Sequence, residues 1–159
     1  MSTPIVEQIA QEIDARIAEI TTANGFNQDL TPLRPTRLNL EGDVAPTDGT
    51  VVILQEDPSE DDENSTDGNA AIKAWVQSFS LAAFVIASDA TTTAIDTRIN
   101  QVRADIEKKL TADITRGGLA IDTRIRPPRM FNEAPQATGI VINVDVHYRT
   151  REDDPYTAA

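Results

Sequence analysis

His147 is the only histidine of the chain, and it stands on the polar side of an alternating segment, GIVINVDVHYRT, Gly139 to Thr150. A single imidazole forms neither a two-histidine metal site nor an acid–base pair without carboxylate partners that spacing alone does not locate. A surface or interface position is the plainer reading. The Ser, Asp and Lys residues build no Gly-x-Ser-x-Gly elbow and no Gly-rich phosphate loop ending in Lys-Ser/Thr. Gly117-Gly118 closes a helical pattern instead of opening one, so it reads as a helix stop and not as a phosphate cradle. The stretch EDPSEDDENSTDG, 56–68, has seven acidic residues among thirteen and offers oxygen ligands. A calcium loop places Gly at its sixth position. Counting from Asp57, Asp61 or Asp62 puts Asp62, Thr66 or Asp67 there, so a solvated tip is favoured over an ion site.

Charge narrows the partners. The chain of 159 residues carries 26 acidic and 14 basic side chains, net -12. Displacing counterions from nucleic-acid phosphates needs clustered cations, and this balance argues against such binding. With no cysteine there are no disulfides, thiolate metal sites or cysteine nucleophiles. The longest apolar run, Leu81 to Ala87, is too short to span a bilayer, and MSTPIVEQ lacks the features of a signal peptide. The expectation is a soluble protein without a cofactor or membrane partner.

The cations are unevenly placed. Eight of the 14, Arg98, Arg103, Lys108, Lys109, Arg116, Arg124, Arg126 and Arg129, fall between 98 and 129. Lys108 and Lys109 read as a solvated helix face. Arg124, Arg126 and Arg129 surround Pro127-Pro128 and are expected to face a partner's carboxylates. The acidic residues Glu60, Asp61, Asp62 and Glu63 admit a lumen-facing or inter-subunit position as well as a free tip.

The elements that must position these groups follow from periodicity. Ile5, Ile9, Ile13, Ile17 and Ile20 form one helical stripe, with Thr3 as N-cap, Pro4 in the first turn and Asn24-Gly25 as the stop. Burying five such side chains is worth roughly 8–15 kcal/mol before chain entropy is subtracted. An extended piece spans 33–40, and a turn follows at Pro46, Asp48 and Gly49. TVVILQ, 50–55, and the alternating run 70–86 predict two strands joined through the acidic loop 56–68 as a hairpin. Ile95, Ile99, Val102, Ile106, Leu110 and Ile114 predict a second helix from Ser88 or Asp89 to about Thr115. A short strand, 119–126, an irregular loop and the strand 139–150 complete a single α+β domain over 1–159. Its sheet is mostly antiparallel with about five strands against two amphipathic helices, and residues 149–159 form an exposed tail.

Three local features carry a resemblance: the helix ending in Asn24-Gly25-Phe26, the long helix ending in Gly117-Gly118-Leu119-Ala120, and the ending Tyr148-Arg149-Thr150 to Asp154-Pro155-Tyr156. Together with the element order, they resemble the tail terminator (tail-completion) proteins of long-tailed bacteriophages. The resemblance implies a non-catalytic virion protein, assembled in the host cytoplasm as a homo-oligomeric, hexameric ring. Such a ring sits on the head-proximal end of the tail tube, stops tube polymerisation and offers a surface to a head-closure or neck protein, while DNA passes through its lumen. Tyr148, Arg149, Asp154 and Tyr156 join Arg124, Arg126 and Arg129 as expected contact residues. The extended acidic hairpin departs from the family pattern. Six copies would carry six times -12, or -72, so a ring is expected to be more stable at moderate than at low salt. A head–tail connector or neck protein is the alternative within the same class. A small hydrolase or ion-binding protein centred on His147 and the acidic loop is the alternative outside it.

Overall fold

The computed structural model describes residues 2–36, 47–66, 71–86, 94–132 and 138–159. They form an α+β fold in two layers, a mostly antiparallel sheet of eight strands with two α-helices on one face. Helix α1 (Ile5–Ala18) buries Ile5, Ile9, Ile13 and Ile17, and Ile20 just beyond its end is buried too. Pro4 and not Thr3 occupies its N-cap, with no side-chain cap bond. The helix stops at Ala18, earlier than Asn24. Thr21 draws the chain into a separate 3-10 turn, Thr22–Asn24, by accepting a hydrogen bond from the Asn24 amide at 3.2 Å, and Gly25 closes it at φ 85°.

Strand β1 (Thr31–Leu33) runs parallel to β2 (Thr50–Gln55) at the sheet margin, where Pro32 costs no ladder bond. The extended piece expected at 33–40 therefore starts two residues earlier, and 37–40 lie outside the described residues, as do Pro46, Ser88 and Asp89. Asp48 and Gly49 turn the chain into β2 as expected. The acidic segment is not wholly loop: Ser59–Glu60 forms β3, paired with β4 (Ile72–Phe84). Helix α2 (Ile95–Thr111) buries Ile99, Val102, Ile106 and Leu110, as the stripe predicts. It ends four residues before Thr115, which leaves Ile114 43 % exposed.

Strand β5 (Asp122–Ile125) and a strand unforeseen in the sequence, β6 (Arg129–Asn132), both pair with β7 (Thr138–Arg151). The C-terminal segment is mostly exposed, as expected, but it is also paired into the sheet. The chain reverses after Arg151, and β8 (Asp154–Ala158) pairs back onto the end of β7. The sheet order is β1-β2-β4-β7-β5, with β4 and β7 matched residue for residue from Ile72↔Arg151 to Phe84↔Gly139. On the helix side Phe79, Leu81, Ala83, Ile140, Ile142, Val144 and Val146 join the isoleucine stripe in one core.

Candidate functional site

The face of the sheet turned away from the helices carries the polar half of the β4 and β7 alternation. Ser78 pairs across with Asp145, Val76 with His147 and Ala74 with Arg149. No described helix covers this face. Instead, residues after β3 fold over part of it. The Asp61 amide donates to the Ala74 carbonyl at 2.9 Å, and the Ala74 amide donates to Ser65 Oγ at 3.1 Å. The Asp61 carboxylate then lies 3.1 Å from His147 Nδ1 and accepts from Asn64 Nδ2 at 2.8 Å. The acidic segment thus buries one of its carboxylates, contrary to the expectation of a wholly solvated loop. Asp62 and Glu63 stay exposed, and Glu60 pairs with Lys73 at 2.8 Å.

The hydrogen bonds from His147 and Asn64 hold the Asp61 carboxyl below the usual range. A carboxyl depressed on folding adds stability above its unfolded value of about 3.9, and that stability is lost as pH falls through the folded value. Acidification below about pH 4 is therefore expected to loosen residues 61–66 from the sheet. Amide NMR shifts should report this in the unchanged protein, and the same titration should vanish in Asp61→Asn. An unaltered titration in the variant would mean that this carboxylate does not hold the segment.

Each outer strand is interrupted once. Between Gln55↔Phe79 and Ser59↔Val76, three residues, Glu56-Asp57-Pro58, oppose two of β4. Between Ile125↔Val144 and Arg129↔Val141, three residues, Arg126-Pro127-Pro128, oppose two of β7. Both prolines-bearing interruptions behave as bulges, where a missing N–H is tolerated. The first is pinned by buried Gln77, whose amide donates to the Glu56 carbonyl at 2.6 Å. The second is pinned by the Arg126 amide, donating to the Asn143 carbonyl at 2.9 Å.

The expected contact residues separate into two groups. Tyr148 is 8 % exposed and belongs to the core, and burial raises its phenol pKa, so it is not a surface contact. Arg149 is half-buried, and its Nε has no hydrogen-bond partner among the described residues. Arg124 pairs with Asp122 of its own strand at 2.8 Å, and Arg126 with Asp145 at 3.2 Å, so two of the three expected cations already have internal partners. Arg129 is exposed and makes no ion pair with any described residue. Asp154 caps its own turn by accepting from the Tyr156 amide at 3.0 Å, and the Tyr156 ring is 47 % exposed. Beside the Arg126 bulge an open groove of about 790 Å³ runs along α2, lined by Arg103, Glu107, Lys108, Arg126 and both prolines. Next to Arg129, Met130 is 55 % exposed.

One of the eight clustered cations is the most deeply buried cation among the described residues. Arg116 has no exposed surface and adopts φ 50°. Its guanidinium donates to the carbonyls of Leu110 and Asp113 and reaches Glu12 of α1 at 3.1 Å. It satisfies the free carbonyls at the end of α2 and joins the two helices. Among the described residues no three His, Asp or Glu side chains are grouped to hold a metal ion, and no helix is long and apolar enough to cross a membrane.

No protein-family model and no curated protein matches this chain. Function has to be argued from the surfaces themselves.

Proposed function

We propose that this protein is a structural, ring-forming subunit of a bacteriophage tail, a tail terminator that caps the head-proximal end of the tube and receives the head-closure or neck protein. The sequence resemblance supplies the class. The observation that favours an assembling protein is the margin of the sheet beyond β7. There Met130, one of three large apolar side chains left exposed among the described residues, adjoins Arg129, which makes no ion pair with any described residue, while Tyr156 is exposed near the opposite end of β7. Apolar anchors bordered by cations are the composition of a protein contact, where a few buried anchors carry most of the affinity. The role needs no catalysis: the subunit works by presenting shape and charge, and the lumen of its ring lets DNA pass without specific binding.

Size-exclusion chromatography with light scattering, followed by electron microscopy of the protein mixed with tail tubes, tests the reading. A closed ring, alone or capping a tube, is expected. A strict monomer at high concentration that also leaves tubes uncapped would overturn it. Copurification with heads and not with tails would move the assignment to the neck.

A further inference from the structure

The two outer strands oppose each other in charge. Gln55, Phe79, Val144 and Ile125 form one row across the sheet, and the two bulges leave it on opposite sides, one at each margin: 56–58 at the level of Asp145 and Val146, 126–128 at the level of Ile142 and Asn143. Three strand spacings, about 14 Å, separate them laterally, and about 10 Å separates them along the strands. The bulge outside β4 carries Glu56 and Asp57, both exposed and without an ion pair to any described residue. The bulge outside β7 carries Arg126 and runs into Arg129, both exposed, with Arg103 and Lys108 lining the groove behind. No described strand lies outside β3 or outside β5 and β6.

We propose that these margins are the two halves of one contact between identical copies, with Glu56 and Asp57 of one subunit set against Arg126 and Arg129 of the next. The occupant is a second copy because the charge that each margin needs is displayed on the other margin of the same chain. β1 flanks β2 only over Thr50–Val52, which leaves the 56–60 segment at the margin; since β2 and β3 oppose β4, β4 opposes β7 and β7 opposes β5 and β6, the two marginal segments run antiparallel. A neighbour placed alongside without inversion therefore brings unlike margins together. Pro58, Pro127 and Pro128 remove amide donors at the facing bulges, so side-chain charge and not a backbone ladder selects the partner. A contact between unlike surfaces is heterologous, and it closes into a ring when the rotation per subunit divides a full turn. The inference rests on the ring reading above and names the surfaces that would build it.

Ionic strength acts on it twice. The net -12 of each copy repels its neighbours at low salt, whereas the screening length shrinks to about 3 Å at 1 M and weakens the charge contact itself. Assembly should peak at intermediate salt.

The decisive experiment reverses one margin at a time. Glu56→Arg with Asp57→Arg gives two basic margins; Arg126→Glu with Arg129→Glu gives two acidic ones. Each variant alone, checked for folding by circular dichroism, is expected to assemble at least tenfold more weakly than the unchanged protein. Mixed one to one, they should recover rings with strictly alternating subunits and an even count by native mass spectrometry. Should the Arg126 change disturb its Asp145 partner and unfold the chain, Arg129→Glu alone replaces it. Rings from either variant alone, or a mixture that stays dissociated, would overturn the contact while leaving the ring reading intact. An unchanged protein that never forms a ring would remove both.

Discussion

Replacing Gly139 by alanine is expected to cost about 3 kcal/mol or more of folding stability. Gly139 sits on β7 opposite Phe84, and a Cβ there would lie 1.9 Å from the Ala83 carbonyl oxygen and 2.8 Å from the Phe131 ring. The obstructing atom is backbone, held in the β2–β4–β7 ladder, so no rotamer change relieves the clash. The rings of Phe84 and Phe131 meet edge to face at 5.3 Å beside this residue and would be displaced as well. Urea unfolding gives the number. Gly25→Ala is the control: its Cβ would meet nothing within 4 Å, so only the positive φ of 85° opposes it, at about 1 kcal/mol. Equal midpoints for the two variants would show that the strand pair yields at Gly139.

The second large effect is expected at Arg116. Methionine of similar length leaves the Leu110 and Asp113 carbonyls without their donor and takes from the Glu12 carboxylate, only 15 % exposed, one of its two cations, Arg16 remaining at 2.6 Å. Each buried carbonyl left unmet costs about 1–3 kcal/mol, so a loss of about 3 kcal/mol is expected. Burial lowers the Arg116 pKa, while Glu12 opposes that shift, so the site holds the charge against a desolvation cost. Glu12→Gln together with Arg116→Met should destabilise by less than the two single losses added, because both changes break the same Arg116–Glu12 contact. Strict additivity in urea melts would mean that the guanidinium acts through packing alone.

What the sequence conveys and what it withholds have separate physical sources. The stripes Ile5-Ile9-Ile13-Ile17 and Ile99-Val102-Ile106-Leu110 are buried as their spacing predicts, and so is the inward half of β7. Burying a whole face imposes a period, and a period can be read. Strands β3, β6 and β8 have none to read: SE, RMFN and DPYTA are mostly exposed and exist because β4 or β7 offers a partner. That is tertiary pairing, not propensity. Counting about five strands instead of eight follows from treating both bulges as strand ends, which hides β3 and β6, and from treating the segment after Arg151 as a tail, which hides β8. Arg116 is hidden for a related reason, since nothing beside Gly117 distinguishes a helix-capping guanidinium from a solvated one. The approach of Asp61 to His147 depends on the register that sets Val76 opposite His147, and register has no local signature.

The uninterrupted pairing of β4 with β7 has an electrical consequence. Thirteen matched residues span about 41 Å at the usual rise per residue. Fields between exposed charges fade over about 8 Å in physiological salt. Protonating Asp61 near one extremity of this ribbon is therefore inaudible at Phe84 near the other, so the two ends of the sheet titrate independently.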